Sequence, residues 1–188
     1  MGTLKTTNIQ TITGSGTLTL GTSGETLAYG SGVTSNLLYP AWFASLSADQ
    51  TGVSETTYTK VEFNTVVIDT DNAYNNTTNY RWTCPSGKAG KYKVELSVML
   101  RTASDAVSNL SRCRGLIYKN GSEVAETFND LRNNYVRKYS LNQSLILDIA
   151  EGDYLEGFGW GQSIDAGGLQ FMGDAAHESW FLGYRIGT

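Results

Sequence analysis

The residues with the chemistry for nucleophilic catalysis are gathered around His177, the single histidine of the chain. His177 lies in the segment GDAAHESW beside Asp174, Glu178 and Ser179, which would supply the acid and the hydroxyl of a Ser-His-acid triad. A triad requires that the three groups converge in space, and sequence neighbours in a loop and a strand start do not supply that geometry. The segment therefore predicts no catalytic site, and we expect no enzymatic activity.

Two pairs of carboxylates have the spacing of metal ligands or catalytic acids. Asp69 and Asp71 in IDTDNAYNNTTN are similar to a fragment of a calcium loop, but the glycine and closing glutamate of an EF-hand loop are absent, which favours a solvated turn. Glu151 and Asp153 flank Gly152, a pattern more typical of a turn than of a glycosidase pair. The sequence thus predicts no metal site and no cofactor.

One aromatic side chain is a candidate for ligand binding. Trp160 lies in GFGWGQS, which we interpret as a loop or a strand edge, and an exposed indole at this position would stack on a sugar ring. A tryptophan of the core or of a subunit contact is the commoner outcome. Both interpretations stay open at the level of the sequence.

The composition is that of a single all-β domain with an appendage. Of the 188 residues 17% are charged, Gly (21) and Tyr (11) are frequent, and Pro (2) is scarce. The net charge of −4 and the lack of any Lys/Arg run argue against nucleic-acid binding. No apolar run approaches the ~20 residues that span a bilayer, and the N-terminus lacks the apolar centre of a signal peptide, so we expect cytoplasmic synthesis without membrane insertion. Cys84 and Cys113 stand in unlike contexts, which predicts two free, buried thiols.

Residues 1–38 differ in amino-acid composition from the rest of the chain. They are rich in Thr, Gly and Ser, and a segment of this composition cannot build a core of its own. Its apolar side chains would need another chain or surface to cover them. The sequence therefore predicts an extended arm that anchors the protein through sparse apolar residues, which are Leu4, Ile9, Ile12, Leu18, Leu20 and Leu27.

From residue 39 onward, segments with alternating apolar and polar residues are separated by clusters of Gly, Asn and Asp, which predicts a sandwich or jelly roll. KNG (119–121) predicts an Asn-Gly hairpin turn, and AEGDY (150–154) a second tight connection. A weak helical pattern is present in ETFNDLRNNYVRK. The predicted strands are YPAWFASLS, TKVEFNTVVI, NYRWTC, GKYKVELSVMLR, SRCRGLIYKNGSEV, YSLNQSLILDIAEGDYLEGFGW and SWFLGYRIG.

The stretch VEFNTVVIDTDNAYNNTTNYRWTCPSGKAGKYKVELSV resembles the signature of the C1q family. In that pattern a Phe is followed by an acidic or amide residue, an aromatic, an aromatic-X-Cys and a Gly-X-Tyr strand. A strand ending in Lys-Asn-Gly, a strand closed by Gly-Asp and a final Gly-centred apolar strand follow in order. The matching residues are Phe63, Asp69, Tyr74, Trp82, Cys84, Gly90, Tyr92, Lys119, Asn120, Gly121, Gly152, Asp153 and Gly183.

This resemblance implies an all-β, C1q/TNF-like jelly-roll sandwich of two five-stranded antiparallel sheets over residues 39–188, which assembles as a homotrimer. The segment TTNIQTITGSGTLTLGTSGETL of the arm is in turn similar to the N-termini of small virion proteins from marine tailed phages, including cyanophages. That similarity implies a protein synthesised in the host cytoplasm and carried on the virion surface. Residues 1–38 would attach it to other virion proteins of the capsid or tail.

Strand alternation separates the two faces of each predicted strand. We predict that the more apolar set of each strand forms the sandwich core. These sets are Tyr92, Val94, Leu96 and Val98 in GKYKVELSV, Trp180, Leu182, Tyr184 and Ile186 in SWFLGYRIG, and Trp42, Ala44 and Leu46 in AWFASL.

The opposite face is the one that the resemblance places around a three-fold axis. Phe43 and Phe181 would then anchor the subunit contact, and Gly183 would allow close approach. Lys93 lies on the same face, and Glu95 and Arg185 lie on strands that the resemblance makes neighbours, so a charge pair within or between subunits is expected. The alternative is that both charges are solvated on an ordinary outer sheet.

These features predict a non-enzymatic phage structural protein, a trimeric surface knob, decoration or short fibre held by its N-terminal arm. The first alternative is the tip of a tail fibre that recognises host glycans or an outer-membrane protein, with Trp160 as a ligand contact. The second alternative is a soluble C1q-like recognition module, against which the lack of a signal peptide and of a collagen-like region argues.

Overall fold

The protein is described by a computed structural model over residues 40–103, 108–165 and 167–187. The predicted arm, with its six anchoring residues, lies outside these ranges. The described ranges contain thirteen strands and no helix. In chain order the strands are β1 (Ala41–Ser45), β2 (Gln50–Val53), β3 (Thr59–Lys60), β4 (Thr65–Asp69), β5 (Tyr74–Asn75), β6 (Arg81–Thr83), β7 (Gly90–Thr102), β8 (Leu110–Lys119), β9 (Ser122–Asp130), β10 (Lys138–Ile149), β11 (Tyr154–Ser163), β12 (Leu169–Phe171) and β13 (Trp180–Gly187).

The strands form two antiparallel sheets, which confirms the predicted jelly-roll fold. The first sheet has the order β4-β1-β13-β7-β10, with β12 also paired to β7 and β2 to β12. The second has the order β5-β6-β11-β8-β9, with β3 paired to β11. Each sheet thus contains the five expected strands and one or two additional short ones.

The turns follow the chemistry of their residues. Asn120 and Gly121 both have positive φ, at 52° and 76°, and join β8 to β9 as the predicted Asn-Gly hairpin. Gly152 has φ 81° between β10 and β11, where the Asp153 N–H donates to the Ala150 carbonyl at 3.1 Å. The weak helical pattern in residues 126–138 is wrong, because its first five residues complete β9, and pairing along β8 outweighs a local preference.

An aromatic cluster lies at the centre of the core. Trp42 of the first sheet stacks on Trp82 of the second, with ring centroids 4.2 Å apart and planes 13° apart. Tyr92 lies 5.1 Å from Trp82, and Phe181 meets Trp42 edge-on at 5.8 Å. Phe63 stacks on Phe181 at 6.0 Å. Because the Trp42–Trp82 stack joins one sheet to the other, it fixes their separation at this point.

The stack requires a glycine on the strand beside Trp42. Gly183 lies opposite Trp42 in the β1–β13 register, and a Cβ at this position would lie 2.2 Å from the Trp42 ring. That distance is far below van der Waals contact, so the indole occupies the space that a side chain would take. Gly183 consequently faces the core.

The position of Gly183 reverses the predicted faces of β13. Phe181 is 0% exposed, and Arg185 lies on the same inward-facing side, opposite Tyr92 of β7. The prediction that Trp180, Leu182, Tyr184 and Ile186 form the core is therefore wrong. Alternation was correct for the inward sets of β7 and β1, which are buried as predicted: Tyr92, Val94, Leu96, Val98, Trp42, Ala44 and Leu46.

The loop between β2 and β3 is held by the half-buried carboxylate of Glu55. Both carboxylate oxygens of Glu55 are occupied: Oε1 accepts from the Ser163 hydroxyl at 2.6 Å and from the Gly168 N–H at 3.2 Å, and Oε2 accepts from the Ser163 N–H at 2.9 Å. Burial raises the pKa of this carboxyl, but the three donors outweigh that effect and hold the pKa below its usual value of 4.5. Glu55 thus ties the loop to the end of β11.

Gly183→Ala should destabilise the fold by about 1–3 kcal/mol, because the added methyl must displace the Trp42 ring. Thermal unfolding monitored by near-ultraviolet circular dichroism measures the effect. Gly187→Ala, on the same strand with open space around the site, is the matched control and should leave the melting temperature unchanged. Equal melting temperatures for the two variants would contradict the Trp42–Gly183 contact.

Glu55→Gln should lower the free energy of unfolding at pH 7. Because the folded-state pKa is depressed, the contribution of the carboxylate is fully present above pH 4.5 and is lost as pH falls through the lower folded-state pKa. The difference from the unchanged protein should therefore shrink in acid, measured by urea unfolding at a series of pH values. Glu62→Gln, at an exposed side chain, is the control, and a pH-independent difference for Glu55→Gln would contradict the clamp.

Candidate functional site

The outward side of the first sheet carries a row of apolar side chains. In the strand register Ile68, Phe43 and Leu182 stand side by side on β4, β1 and β13. The row continues to Glu95 on β7 and Ser144 on β10. We call the apolar part of this surface, together with the charged pair within it, the first-sheet face, and its members are Phe43, Ile68, Lys93, Glu95, Ile146, Trp180, Leu182, Tyr184 and Ile186. The same side of the sheet also carries the exposed ion pair between Lys91 and Asp148.

Several apolar members of this face are open to solvent in the single chain. Ile146 is 59% exposed, Ile68 is 49% exposed, and Tyr184 and Ile186 are each 39% exposed. Single exposed apolar residues are ordinary, whereas a contiguous set on neighbouring strands marks an interaction surface. The first-sheet face is therefore the candidate functional site.

The two charges on the face neutralise each other within the subunit. Lys93 Nζ lies 3.4 Å from Glu95 Oε1, which also accepts from the Ser144 hydroxyl at 3.4 Å. The predicted pair between Glu95 and Arg185 does not form, because Arg185 lies on the inward-facing side of β13 and its Nε donates to the Gly187 carbonyl. A partner would thus meet a neutral pair surrounded by apolar side chains.

The structure divides the predicted contact residues into two groups. Phe43, Lys93 and Glu95 lie on the first-sheet face as expected. Phe181 and Gly183 are buried in the subunit interior, so they are not available to a partner, and Arg185 faces inward. The face instead contains residues that the sequence analysis assigned to the core or did not consider, which are Ile68, Ile146, Trp180, Leu182, Tyr184 and Ile186.

His177 contacts a serine that substrate cannot reach. Its Nδ1 lies 2.9 Å from the Ser45 hydroxyl, and Ser45 is only 1% exposed. Ser179 is buried and its hydroxyl accepts from the Met99 N–H at 3.0 Å, while Glu178 lies 3.9 Å from Lys138. These contacts join the chain around the start of β13 to β1, β7 and β10, and their geometry is not that of a triad.

The predicted turn carboxylates bind backbone rather than a ligand. Asp69 accepts from the N–H groups of Ala73 and Tyr74 at 3.0 and 2.8 Å, and Asp153 accepts from the Ala150 N–H at 2.8 Å. Glu151 accepts from the Gly87 N–H at 2.9 Å. Within the described ranges, no three His, Cys, Asp or Glu side chains are grouped as metal ligands would be.

Both thiols are free and buried, as predicted. Burial raises the pKa of Cys113 to about 12, and it also raises the pKa of Cys84 above its ordinary value. Because the nucleophilic form of cysteine is the thiolate, neither residue is activated for chemistry.

No helix in the described part of the chain is long and apolar enough to cross a membrane.

Trp160 lies within β11, so of the two predicted positions, a loop or a strand edge, the loop is wrong. It stands opposite Arg114 of β8, on the outward side of the second sheet. Glycine is uncommon in strand interiors, which is why GFGWGQS was interpreted as a loop or a strand edge. The side chain is half-buried among other aromatic and charged groups.

Comparisons with known proteins concern the fold. No protein-family model matches the chain, and no curated protein matches it in sequence. Similar solved structures include the globular domain of zebrafish complement 1qA protein, with 14% identity and a TM-score of 0.53 over 79% of this chain and 98% of that one. Murine APRIL gives 8% identity and 0.54 over 78% and 98%, and Eiger TNF from S. frugiperda gives 9% and 0.55 over 80% and 93%. The chain therefore has the jelly-roll fold of C1q and TNF-type domains.

Proposed function

We propose that the chain is a non-enzymatic structural protein of a phage particle, which assembles as a homotrimer through the first-sheet face and is attached by residues 1–38. The observation that carries the proposal is the contiguous apolar surface around Lys93 and Glu95. Separate observations support the trimer, the lack of enzymatic turnover and the attachment to a phage particle.

Self-association is supported by the composition of the first-sheet face. Leu182, Tyr184 and Ile146 are side chains that soluble proteins cover, and the neutral Lys93–Glu95 pair gives no like-charge repulsion when copies of the face meet. Closed rotational symmetry is the usual form of soluble homo-oligomers. The resemblance to C1q domains favours three copies over two.

A non-enzymatic role is supported by the partners of the reactive side chains. The hydroxyl of Ser45 and the thiol of Cys113 are enclosed, and the carboxylates of Asp69 and Glu151 hold backbone N–H groups. In the described ranges, the candidate catalytic groups are thus either enclosed in the core or bonded to other parts of the fold.

The phage assignment rests on the sequence of the arm. Its low-complexity Thr, Gly and Ser texture with spaced leucines is similar to the N-termini of small virion proteins, and such a segment needs a partner surface to cover its apolar side chains. A short arm of this kind favours direct attachment to a capsid or tail. The protein would then be displayed on the virion surface, where it is also placed for host attachment.

Leu182→Asp should convert the oligomer to monomer. The carboxylate would be introduced at the centre of the first-sheet face, where association would bury it without a partner. Sedimentation-velocity ultracentrifugation of the full chain should give three times the subunit mass for the unchanged protein and the subunit mass for the variant. Val124→Asp, at an exposed position on β9 of the other sheet, should stay trimeric, and a monomeric unchanged protein would contradict the proposal.

Leu18→Asp combined with Leu20→Asp should abolish incorporation into particles while leaving the trimer mass unchanged, because these leucines belong to the predicted anchoring set. Complementation of a phage lacking the protein, followed by immunoblotting of purified particles, measures incorporation. Thr17→Asp combined with Thr19→Asp adds the same charge at the intervening polar positions and should be incorporated. Particles that contain the leucine variant at normal levels would contradict the role of the arm.

A further inference from the structure

The outward side of the second sheet carries a second organised surface. Trp160, Arg114 and Phe128 stand directly opposite one another on β11, β8 and β9. Tyr58, from the loop between β2 and β3, lies beside Trp160 with ring centroids 6.5 Å apart. We call Tyr58, Trp160, Arg114 and Phe128 the aromatic band.

The band arises because β11 faces the core with glycines. Added Cβ atoms at Gly157 and Gly159 would lie 2.8 and 2.4 Å from Phe63 and Phe171, respectively, so these rings occupy the interior beside the strand. The large side chains of the strand, Phe158 and Trp160, point outward as a consequence. Trp160 is half-buried against Tyr58 and Arg114, whereas Tyr58 and Phe128 are exposed, so these two rings form the open surface of the band.

The charge within the band is compensated and held rigidly. The Arg114 guanidinium lies 4.5 Å from the Phe128 ring and 5.2 Å from the Trp160 ring. Its Nη1 donates to Glu126 Oε2 at 2.7 Å and lies 3.4 Å from the Tyr58 hydroxyl. The band therefore offers hydrogen-bond donors and acceptors between aromatic rings without a net charge at its centre.

The loop that presents Tyr58 is fixed before any ligand arrives. Thr56 has φ 56°, a left-handed conformation that is unfavourable for a β-branched residue. Its N–H donates to the Gly161 carbonyl at 2.8 Å, and the adjacent Glu55 is held by Ser163 and Gly168. The hydrogen bonds to β11 and from the Gly168 N–H keep this strained loop in one conformation, which is what preorganised binding requires. Tyr58 is 45% exposed and Phe128 is 43% exposed, so both ends of the band are open.

We propose that the aromatic band binds a neutral oligosaccharide. The C–H faces of pyranose rings would pack on the exposed rings of Tyr58 and Phe128, and the Arg114–Glu126 pair would donate to and accept from their hydroxyl groups. The band runs from β11, where Tyr58 lies beside Trp160, to Phe128 on β9, which is two inter-strand spacings or about 10 Å and accommodates a disaccharide unit. No covalent step is involved.

The charge balance decides between ligand classes. An anionic sugar would find Arg114 already paired, in a chain with a net charge of −4. A neutral polyhydroxyl ligand uses both the rings and the ion pair. The sugar site extends the proposed display on a particle surface by naming a class of ligand. All residues of the aromatic band nevertheless belong to one subunit, so the site does not require the particle or the trimer.

The test is binding of the full chain to immobilised maltotriose, cellotriose, mannotriose and N,N′,N″-triacetylchitotriose, with 3′-sialyllactose as the anionic comparison. At least one neutral sugar should bind, and soluble sugar should compete. Phe128→Ala and Tyr58→Ala should each weaken that binding by about tenfold or more, and Arg114→Lys should weaken it because an ammonium lacks the planar fork. Tyr135→Ala, at an exposed aromatic residue outside the band, is the matched control and should bind normally.

Three outcomes would overturn the proposal: binding to none of the four neutral sugars, binding to 3′-sialyllactose alone, or full binding by the Phe128 and Tyr58 variants. Melting temperature and sedimentation mass are recorded for every sample. If the unchanged protein is trimeric but binds no neutral sugar, the proposed sugar site is wrong and the proposed trimer stands. Sugar binding by a monomeric protein would overturn the trimer alone.

Discussion

The contact between the Trp42 indole and the backbone of Gly183 is the constraint on which the rest of the structure depends. It allows Trp42 to reach Trp82 in the opposite sheet, and the two rings stack at 4.2 Å. It also sets which way β13 faces, because a strand whose glycine is turned to the core must turn Leu182 and Tyr184 outward. A single close approach in the interior thereby determines the chemistry of an exterior surface.

On β11, too, inward-facing glycines leave room for side chains from elsewhere in the core, and the large side chains of the strand point outward. Phe63 and Phe171 supply the interior bulk beside Gly157 and Gly159, and the aromatic residues of the strand face solvent. Both sheets therefore carry a set of apolar or aromatic side chains on the outer side, which is usually polar in an antiparallel sandwich. The first-sheet face is apolar around a neutral ion pair, which suits copies of the same chain. The aromatic band alternates rings with hydrogen-bonding groups, which suits a polyhydroxyl ligand.

Much of the fold could be predicted from local patterns, whereas the orientation of some strands could not. Asn120–Gly121 specifies its hairpin through backbone chemistry alone, and the alternation of β7 is unambiguous because Lys93 and Glu95 separate apolar residues. In β13 the outward residues are more apolar than the inward ones, which include Arg185. Which side of the strand faces the core therefore depends on Trp42, a residue far away in the sequence. The segment around Trp160 stayed open as a loop or a strand edge, because its glycines are filled by distant side chains, Phe171 beside Gly159 and Leu169 beside Gly161. For the candidate site, this means that Phe43 was placed correctly and Phe181 was not.

The central claim is that the first-sheet face is covered in the assembled protein while the aromatic band is open. Hydroxyl-radical footprinting of the unchanged full chain, analysed by mass spectrometry, tests it most directly because these surfaces have similar exposure in the subunit. The account predicts that Tyr184 and Ile146 are protected from oxidation, while Tyr58 and Phe128 are oxidised freely. Oxidation of Tyr184 and Ile146 to the same extent as Tyr58 and Phe128 would contradict it.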